Sequence, residues 1–179
     1  MSLFGSHSLQ ALKVPYYSQG YVDLTGVPSG TGAELLVNAI NTKIVRIGAD
    51  PTFDFFATFV LQNPRVYFPK IFSHTCPYGL MGAFGAVSVT EMERLDPLSN
   101  CQQQAANIWV PNALDAMQKL QAIPAFHNLD LAYADLIAET RRHHQQNPQP
   151  PLFNGPDLQA KNFMIRPQTG DWVFIDGLG

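Results

Sequence analysis

Charged residues are scarce in this sequence. Only 14% of its 179 residues are Asp, Glu, Lys or Arg, whereas an average globular protein has about 25%. The formal net charge of −3 at pH 7 leaves no excess of basic residues, so we expect no nucleic-acid partner. Because 46% of the residues are hydrophobic, the composition excludes general disorder. The length allows one domain, or one domain made of two small lobes.

Cysteines and long apolar runs are also scarce. Cys76 and Cys101 are the two cysteines, and without a spaced framework they favour reduced thiols and a cytoplasmic protein. His74 and Cys76 form an isolated His-x-Cys with no second pair, so the sequence predicts no metal site there. The most apolar stretch, 53–61, is far shorter than the about 20 residues that span a bilayer. The first residues lack the pattern of a signal peptide, and we expect no membrane association.

The first half predicts short strands and one helix. Branched apolar runs at 33–38 and 43–47 predict a hairpin. Asp50 can cap a helix whose first residue is Pro51, and this helix is expected to end at Gln62. Its helical spacing predicts a buried face, formed by Phe53, Phe56, Val60 and Leu61. Further strands are predicted over 66–73 and 86–92, with an earlier one over 16–24.

The second half predicts helices and a final hairpin. One helix is expected to begin at Pro111, with Leu114, Met117 and Leu120 on one face. A second is capped by Asn128, and its buried stripe is expected to comprise Leu129, Ala132, Tyr133, Leu136 and Ile137. The Pro- and Gln-rich stretch 143–151 predicts a linker. Apolar runs at 162–166 and 172–176 around a Gly-containing turn predict the hairpin.

Three polar residues frame this last hairpin: Asp157, Asn162 and Asp176. A tight hairpin returns the chain to its starting point, so Asn162 and Asp176 are expected side by side, with Asp157 facing them from the preceding loop. Amide and carboxylate oxygens are ligands that Mg²⁺ accepts, and a second carboxylate can orient a hydroxyl and take its proton. In the alternative interpretation, Asp157 and Asn162 only form turns and Asp176 only ends a strand.

The sequence PDLQAKNFMIR followed by VFIDG resembles the catalytic loop and metal-binding segment of the protein-kinase-like superfamily, which includes aminoglycoside-type phosphotransferases. The pattern shared with that superfamily is D-x-x-x-x-N, a hairpin, and an apolar run that ends in Asp. The resemblance implies that Asp157 is the catalytic residue. It also implies that Asn162 and Asp176 are the metal ligands.

The resemblance extends upstream to the segment GTGAELLV, which is similar to the superfamily's Gly-rich loop. Gly30, Gly32 and Val37 match, while Leu35 replaces the third glycine. Glycines there would let backbone N–H groups close over phosphates. Arg46 falls near the position of the superfamily's strand lysine and would contact the phosphates as a catalytic residue. The following helix contains no glutamate, so Asp54 is the predicted ion-pair partner of Arg46.

The segment 87–95 is similar to the last strand of a kinase N-lobe and its hinge, although by itself it predicts only a half-buried strand. By resemblance Met92 is the gatekeeper. The segment from Glu93 to Leu95 would offer backbone groups to adenine. The resemblance implies an α+β, two-lobed protein-kinase-like fold with a small antiparallel-sheet N-lobe and a truncated helical C-lobe. The expected lobes are 1–95 and 96–179.

By resemblance the chain is an ATP- and Mg²⁺-dependent phosphotransferase, similar to minimal kinases of phages or bacterial effectors. It would act on Ser or Thr of a protein in a host cell, and its expected location is the cytoplasm, including that of an infected host. Two alternatives stay open: a kinase-like binding or inhibitor protein without catalysis, and a small-molecule kinase. The sequence departs from the superfamily pattern where Arg46 replaces lysine and where Gly155-Pro156 precede Asp157. An arginine is not interchangeable with a lysine at a tight phosphate site.

Overall fold

The computed structural model is a mixed α+β structure, as the sequence predicts. The structure describes residues 5–25, 32–77, 81–82, 85–118, 126–146 and 155–176. The chain forms two compact units, the first comprising Met1–Asn63 and Lys70–Arg94, and the second comprising Pro64–Pro69 and Leu95–Gly179. In the described part of the chain, no helix combines the length and the apolar character needed to cross a membrane.

The first unit contains an antiparallel sheet of five strands in the order β1-β2-β3-β7-β4. Its strands are β1 (Val22–Asp23), β2 (Glu34–Val37), β3 (Lys43–Gly48), β4 (Ile71–Thr75) and β7 (Ser88–Glu93). Two further short strands, β5 (Met81–Gly82) and β6 (Gly85–Ala86), pair with each other.

The hairpin predicted at 33–38 and 43–47 is confirmed. Glu34 of β2 pairs with Ile47 of β3, and the antiparallel register continues to Val37 and Ile44. Asn41 takes a positive φ of 58° in the connecting turn, a conformation that asparagine tolerates better than most residues. The residues of this turn therefore determine where the two strands pair.

Helix α1 (Gly5–Tyr17) was not expected from the sequence, and the strand predicted over 16–24 is reduced to β1. The helix packs on the sheet with four apolar side chains, Leu9, Leu12, Tyr16 and Tyr17. The core beneath them contains Tyr21, Leu36, Val45, Ile47, Val87 and Val89. Lys13, which is buried, also joins the helix to Asp23 and Glu34 through ion pairs. These distant partners are the reason that Tyr16 and Tyr17 are helical.

Helix α2 (Pro51–Gln62) has the predicted limits. The carboxylate of Asp50 accepts a hydrogen bond from the backbone N–H of Phe53 at 3.2 Å, which satisfies a donor of the first turn. Phe53, Phe56 and Val60 are buried as predicted, together with Ala57. The prediction for Leu61 is wrong, since it is 42% exposed.

The strand predicted over 66–73 begins only at Ile71, and Pro64–Pro69 belongs to the second unit. The carbonyl groups of this segment accept hydrogen bonds from the second unit: Tyr67 from the N–H of Phe174, and Val66 from Arg166. These contacts hold the segment away from sheet pairing. The strand predicted over 86–92 is found as β7, with β6 immediately before it.

The second unit combines two long helices with a three-stranded antiparallel sheet in the order β10-β9-β8. The helices are α3 (Asn100–Gln118) and α4 (His127–Gln146), and a 3₁₀ turn covers Ala160–Asn162. The strands are β8 (Asp96–Pro97), β9 (Phe163–Ile165) and β10 (Trp172–Phe174). The predicted final hairpin is confirmed as β9 and β10, with Phe163 opposite Phe174.

Helix α3 begins at Asn100, so the prediction that Pro111 opens a helix is wrong. The start is stabilised by a capping box, in which Gln102 Oε1 accepts from the N–H of Ser99 and Ser99 Oγ accepts from the N–H of Gln102. The Ser-x-x-Gln spacing was visible in the sequence. Leu120 lies outside the described residues.

Helix α4 buries Leu129, Ala132, Tyr133 and Leu136, as its periodicity predicts, whereas Ile137 is half-buried. The helix continues through Gln146, so the predicted linker is wrong for residues 143–146. The rest of that predicted linker, 147–151, lies outside the described residues.

Candidate functional site

The final hairpin positions Asn162 and Asp176 in the second unit. Beyond the last Cα pair of β9 and β10, the N–H of Ile175 donates to the carbonyl of Asn162 at 2.9 Å. The pairing therefore continues past the strand ends and places Ile175 opposite Asn162, with Asp176 as the next residue of the chain. That the side chains of Asn162 and Asp176 lie side by side stays a prediction.

Asp157 is joined to Asn162 by two hydrogen bonds. Nδ2 of Asn162 donates to the backbone carbonyl of Asp157 at 2.9 Å and to its Oδ2 at 3.0 Å. Asn162 is 5% exposed, so these bonds are shielded from solvent. The 3₁₀ turn over Ala160–Asn162 folds the chain between Asp157 and Asn162. Residues five positions apart can therefore form these hydrogen bonds.

Gln159 also contacts the carboxylate of Asp157. Nε2 of Gln159 donates to Asp157 Oδ1 at 2.7 Å, so both carboxylate oxygens accept a side-chain hydrogen bond. A carboxylate can accept about four hydrogen bonds, which leaves room for an acceptor hydroxyl. The sequence pattern assigned no contact to Gln159.

The donor chemistry at this corner fits a magnesium ion. Because both contacts to Asp157 use the amide nitrogen of Asn162, its amide oxygen is the atom that remains for a cation. Mg²⁺ binds through one or two protein oxygens and keeps waters or phosphates on its other positions. The amide oxygen of Asn162 and the carboxylate of Asp176 are oxygen ligands of the type that Mg²⁺ accepts.

A buried aromatic cluster supports the hairpin. Phe163 packs edge-on against Phe174, with ring centroids 4.6 Å apart, and against Trp109 of α3 at 5.4 Å. The indole N–H of Trp109 donates to Asp130 of α4 at 3.1 Å. The residue that follows Asn162 is thus anchored to both long helices, which restrains the polar corner.

The first unit contains Arg46, the predicted phosphate-binding residue, in a buried environment. Its Nη2 lies 3.1 Å from Asp50 Oδ2, and its guanidinium carbon lies 3.9 Å from the ring centroid of Phe53. Asp50 is therefore an ion-pair partner of Arg46. Burial raises the pKa of the predicted partner, Asp54, and the charge of Arg46 acts against this larger effect by lowering that pKa. The pairing with Asp50 is local, because Asp50 is the N-cap of α2 and lies only four residues after Arg46.

The candidate Gly-rich loop is described only in part. Gly32 has a φ of +74°, and a Cβ there would meet nothing within 4 Å. This position therefore favours glycine because of its backbone conformation and not because of lack of space. Few other residues adopt this φ. Val37 is buried at the end of β2. Gly30 lies outside the described residues.

The candidate hinge residues divide between the units. Met92 is buried in β7, and the N–H of Glu93 already donates to the carbonyl of Lys70 at 2.9 Å. The Glu93 carboxylate accepts from the N–H of Lys70 at 2.8 Å. Leu95 is buried in the second unit. Contact of Glu93 with adenine would therefore depend on its carbonyl group.

Comparison with known proteins provides little further guidance. No protein-family model matches the sequence, and no curated protein matches it. Among solved structures, the chain is similar to the aminoglycoside phosphotransferase APH(3'')-Id from Streptomyces rimosus, with a TM-score of 0.43 and 14% identity. The alignment covers 99% of this chain and 78% of that one. A TM-score of 0.43 does not show a shared fold.

Proposed function

We propose that this chain is an ATP- and Mg²⁺-dependent phosphotransferase with a protein-kinase-like fold. The observation that supports the proposal is that Asn162 donates a hydrogen bond from its side-chain amide to Asp157 and accepts one at its backbone carbonyl from the N–H of Ile175. The first bond joins Asn162 to Asp157, and the second places Ile175, the residue before Asp176, opposite Asn162.

In this proposal each residue of the corner has a separate task. Asn162 and Asp176 would hold the metal ion through their side-chain oxygens. A bound Mg²⁺ supplies neutralisation of phosphate charge, which is the main requirement of phosphoryl transfer. Asp157 would orient the acceptor hydroxyl and accept its proton, while Gln159 and Asn162 hold its carboxylate in one orientation.

The proposed acceptor is a serine or threonine hydroxyl of a protein in a host cell. A small-molecule hydroxyl is the alternative, because the corner performs the same chemistry on either. The two are distinguished by the product: labelled phosphate in a protein band, or labelled phosphate that passes a size filter.

The experiment is a Mg-ATP kinase assay with labelled γ-phosphate, on generic protein acceptors and on a panel of small hydroxyl compounds. Asp157→Ala should reduce the rate by at least about 100-fold, the low end of what a positioned acid or base contributes. Asp96→Asn is the matched control, because Asp96 is an exposed aspartate on β8 of the same small sheet. Equal rates for wild type and Asp157→Ala would contradict the proposal.

A second candidate is a kinase-like binding protein without catalysis. Arg46 supports it, because a buried guanidinium engaged with Asp50 and Phe53 has a structural role already. A thermal-shift measurement with Mg-ATP tests this alternative. At nucleotide concentrations about 100 times Kd, binding should stabilise the fold by about 2.7 kcal/mol. No shift at millimolar Mg-ATP, combined with no phosphate transfer, would favour this candidate.

A further inference from the structure

A row of polar side chains crosses the sheet of the first unit beneath α2. The register places Arg46 of β3 opposite Thr90 of β7, and Thr90 opposite His74 of β4. Side chains that are opposite in neighbouring strands lie on the same face of a sheet. Arg46 contacts Phe53 of α2, so this face is the one that α2 covers.

Three unlike metal-binding side chains meet at the end of this row. Asp54 of α2, His74 of β4 and Cys76, just after β4, each offer a ligand atom, and these atoms all lie within 4.8 Å of one another. The approach follows from the packing of α2 on β4. His74 and Cys76 are two residues apart, a spacing that directs side chains to one side of an extended chain. Asp54 supplies the third ligand, which the isolated His-x-Cys of the sequence lacked.

We propose that Asp54, His74 and Cys76 form a zinc-binding site that links α2 to the edge of the sheet. Zn²⁺ accepts carboxylate oxygen, imidazole nitrogen and thiolate sulfur at about 2.0 to 2.3 Å. Three protein ligands leave a fourth tetrahedral position for water. Sulfur as a ligand excludes Mg²⁺ and Ca²⁺, which require oxygen.

An unsatisfied oxygen supports the site independently of the cluster geometry. Within the part of the chain that the structure describes, Asp54 Oδ1 is buried from solvent and accepts no hydrogen bond. A buried carboxylate oxygen without a partner is costly. A metal ion bound there would supply the missing interaction.

In the proposed site Thr90 would orient His74 so that Nε2 binds the metal. Nδ1 of His74 lies 2.8 Å from the hydroxyl oxygen of Thr90, and Thr90 is fully buried. A neutral imidazole that donates from Nδ1 carries its lone pair on Nε2. Metal-binding histidines usually have such an outer partner, which sets the tautomer and the ring orientation.

The local charges are compatible with a divalent cation. Binding would break the S–H bond of Cys76, release its proton to the solvent and form a zinc–sulfur bond. The thiolate and Asp54 then provide two negative charges. The guanidinium of Arg46 is balanced by Asp50 at 3.1 Å, so Zn²⁺ would leave the cluster near neutrality.

The test is a titration of the full chain, produced without a histidine tag and stripped of metal, with Zn²⁺ alone and with Co²⁺ as a spectroscopic probe. We expect one Zn²⁺ per chain, a rise in the melting temperature, and a thiolate-to-cobalt charge-transfer band. Cys76→Ser should abolish that band, and because Cys76 is exposed the variant should still fold. Cys101→Ser is the matched control and should retain the band.

Two further variants make the result decisive. Thr90→Val should weaken zinc binding by about 10-fold, the low end for loss of an outer partner. The double variant His143→Ala/His144→Ala removes the adjacent histidines of α4. It should leave Zn²⁺ binding unchanged. The proposal is overturned if the chain binds no Zn²⁺, or if Cys76→Ser binds Zn²⁺ as tightly as wild type. Neither outcome depends on phosphotransferase activity.

Discussion

The side-chain amide of Asn162 donates to two acceptors of a single residue, the backbone carbonyl of Asp157 at 2.9 Å and its carboxylate at 3.0 Å. These two hydrogen bonds join the ends of the loop 157–162, which precedes the last hairpin. They also determine the amide orientation, since the nitrogen faces Asp157 and the oxygen is left for another ligand.

Asn162→Asp should destabilise the chain and not only affect catalysis. Asp cannot donate, so both hydrogen bonds are lost and a second carboxylate is placed beside that of Asp157. The expected cost is about 1–3 kcal/mol of unfolding free energy, since the position is buried. Urea unfolding measures it. The control is Asn107→Asp on an exposed position of α3, which should change stability by less than about 0.5 kcal/mol. Equal effects at both positions would contradict the role assigned to Asn162.

Arg46→Met should be strongly destabilising, because it leaves the buried carboxylate of Asp50 without its ion-pair partner. Loss of one member of a buried ion pair costs about 3–5 kcal/mol. Arg46→Lys keeps the charge but loses the planar group that lies over Phe53, so an intermediate loss is expected.

The Arg46→Lys variant also tests whether Arg46 contacts the nucleotide. If Arg46 acts only within the fold, this variant should bind Mg-ATP as wild type does, once the assay is run well below its melting temperature. A changed nucleotide affinity without a change in stability would show that Arg46 contacts the nucleotide.

Phe163→Ala should remove the anchor of the hairpin. The side chain is fully buried between Trp109 and Phe174, and truncation of a buried phenylalanine costs about 3–5 kcal/mol. Phe163→Leu should cost less because it leaves a smaller cavity. Phe72→Ala is the control, since Phe72 is 38% exposed on β4, and its effect should be clearly smaller. Calorimetric or chemical unfolding of the three variants provides the comparison.

Tyr67 should make the stability depend on alkaline pH. Burial and a hydrogen bond to Asp135 at 2.7 Å raise the pKa of Tyr67 to about 12. The pKa is raised in the folded state, so the contribution is fully present below about pH 10, the usual tyrosine value. It is lost as the pH rises from there towards 12, because the unfolded state releases its proton first.

The comparison of wild type with Tyr67→Phe isolates this contribution. The difference in unfolding free energy between the two proteins should shrink by about 2 kcal/mol or less from pH 9.5 to pH 12. When both proteins also carry Asp135→Asn, the difference in unfolding free energy should shrink less over the same range. The carboxylate that helps to raise the pKa of Tyr67 is then gone. A difference that stays constant with pH would contradict the assignment.

Local patterns predicted those elements whose determining residues lie close together in the sequence. The Asp50-Pro51 pair placed the start of α2, since the cap and the first turn involve residues three positions apart. The final hairpin was predicted for the same reason, because a turn and two apolar runs are neighbours in the chain. That hairpin places Ile175, the residue before Asp176, opposite Asn162.

Elements that depend on distant partners were not predicted. The apolar run that begins at Val66 predicts a strand. Its carbonyls instead accept hydrogen bonds from residues about one hundred positions away, Val66 from the Arg166 side chain and Tyr67 from the N–H of Phe174. The residues Tyr16 and Tyr17 are helical because α1 packs on the sheet core. In both cases tertiary contacts outweigh local propensity, which is only a weak preference.

The sequence by itself determined the helix caps, the hairpins and the spacing of Asp157, Asn162 and Asp176, because these depend on residues close along the chain. Only the tertiary structure decided that Arg46 pairs with Asp50, and that Asp54 lies near His74 and Cys76. An isolated His-x-Cys cannot hold a metal ion, and nothing in the local pattern indicates a third ligand. The packing of α2 on β4 supplies it, because side chains far apart in sequence meet only where their elements are in contact.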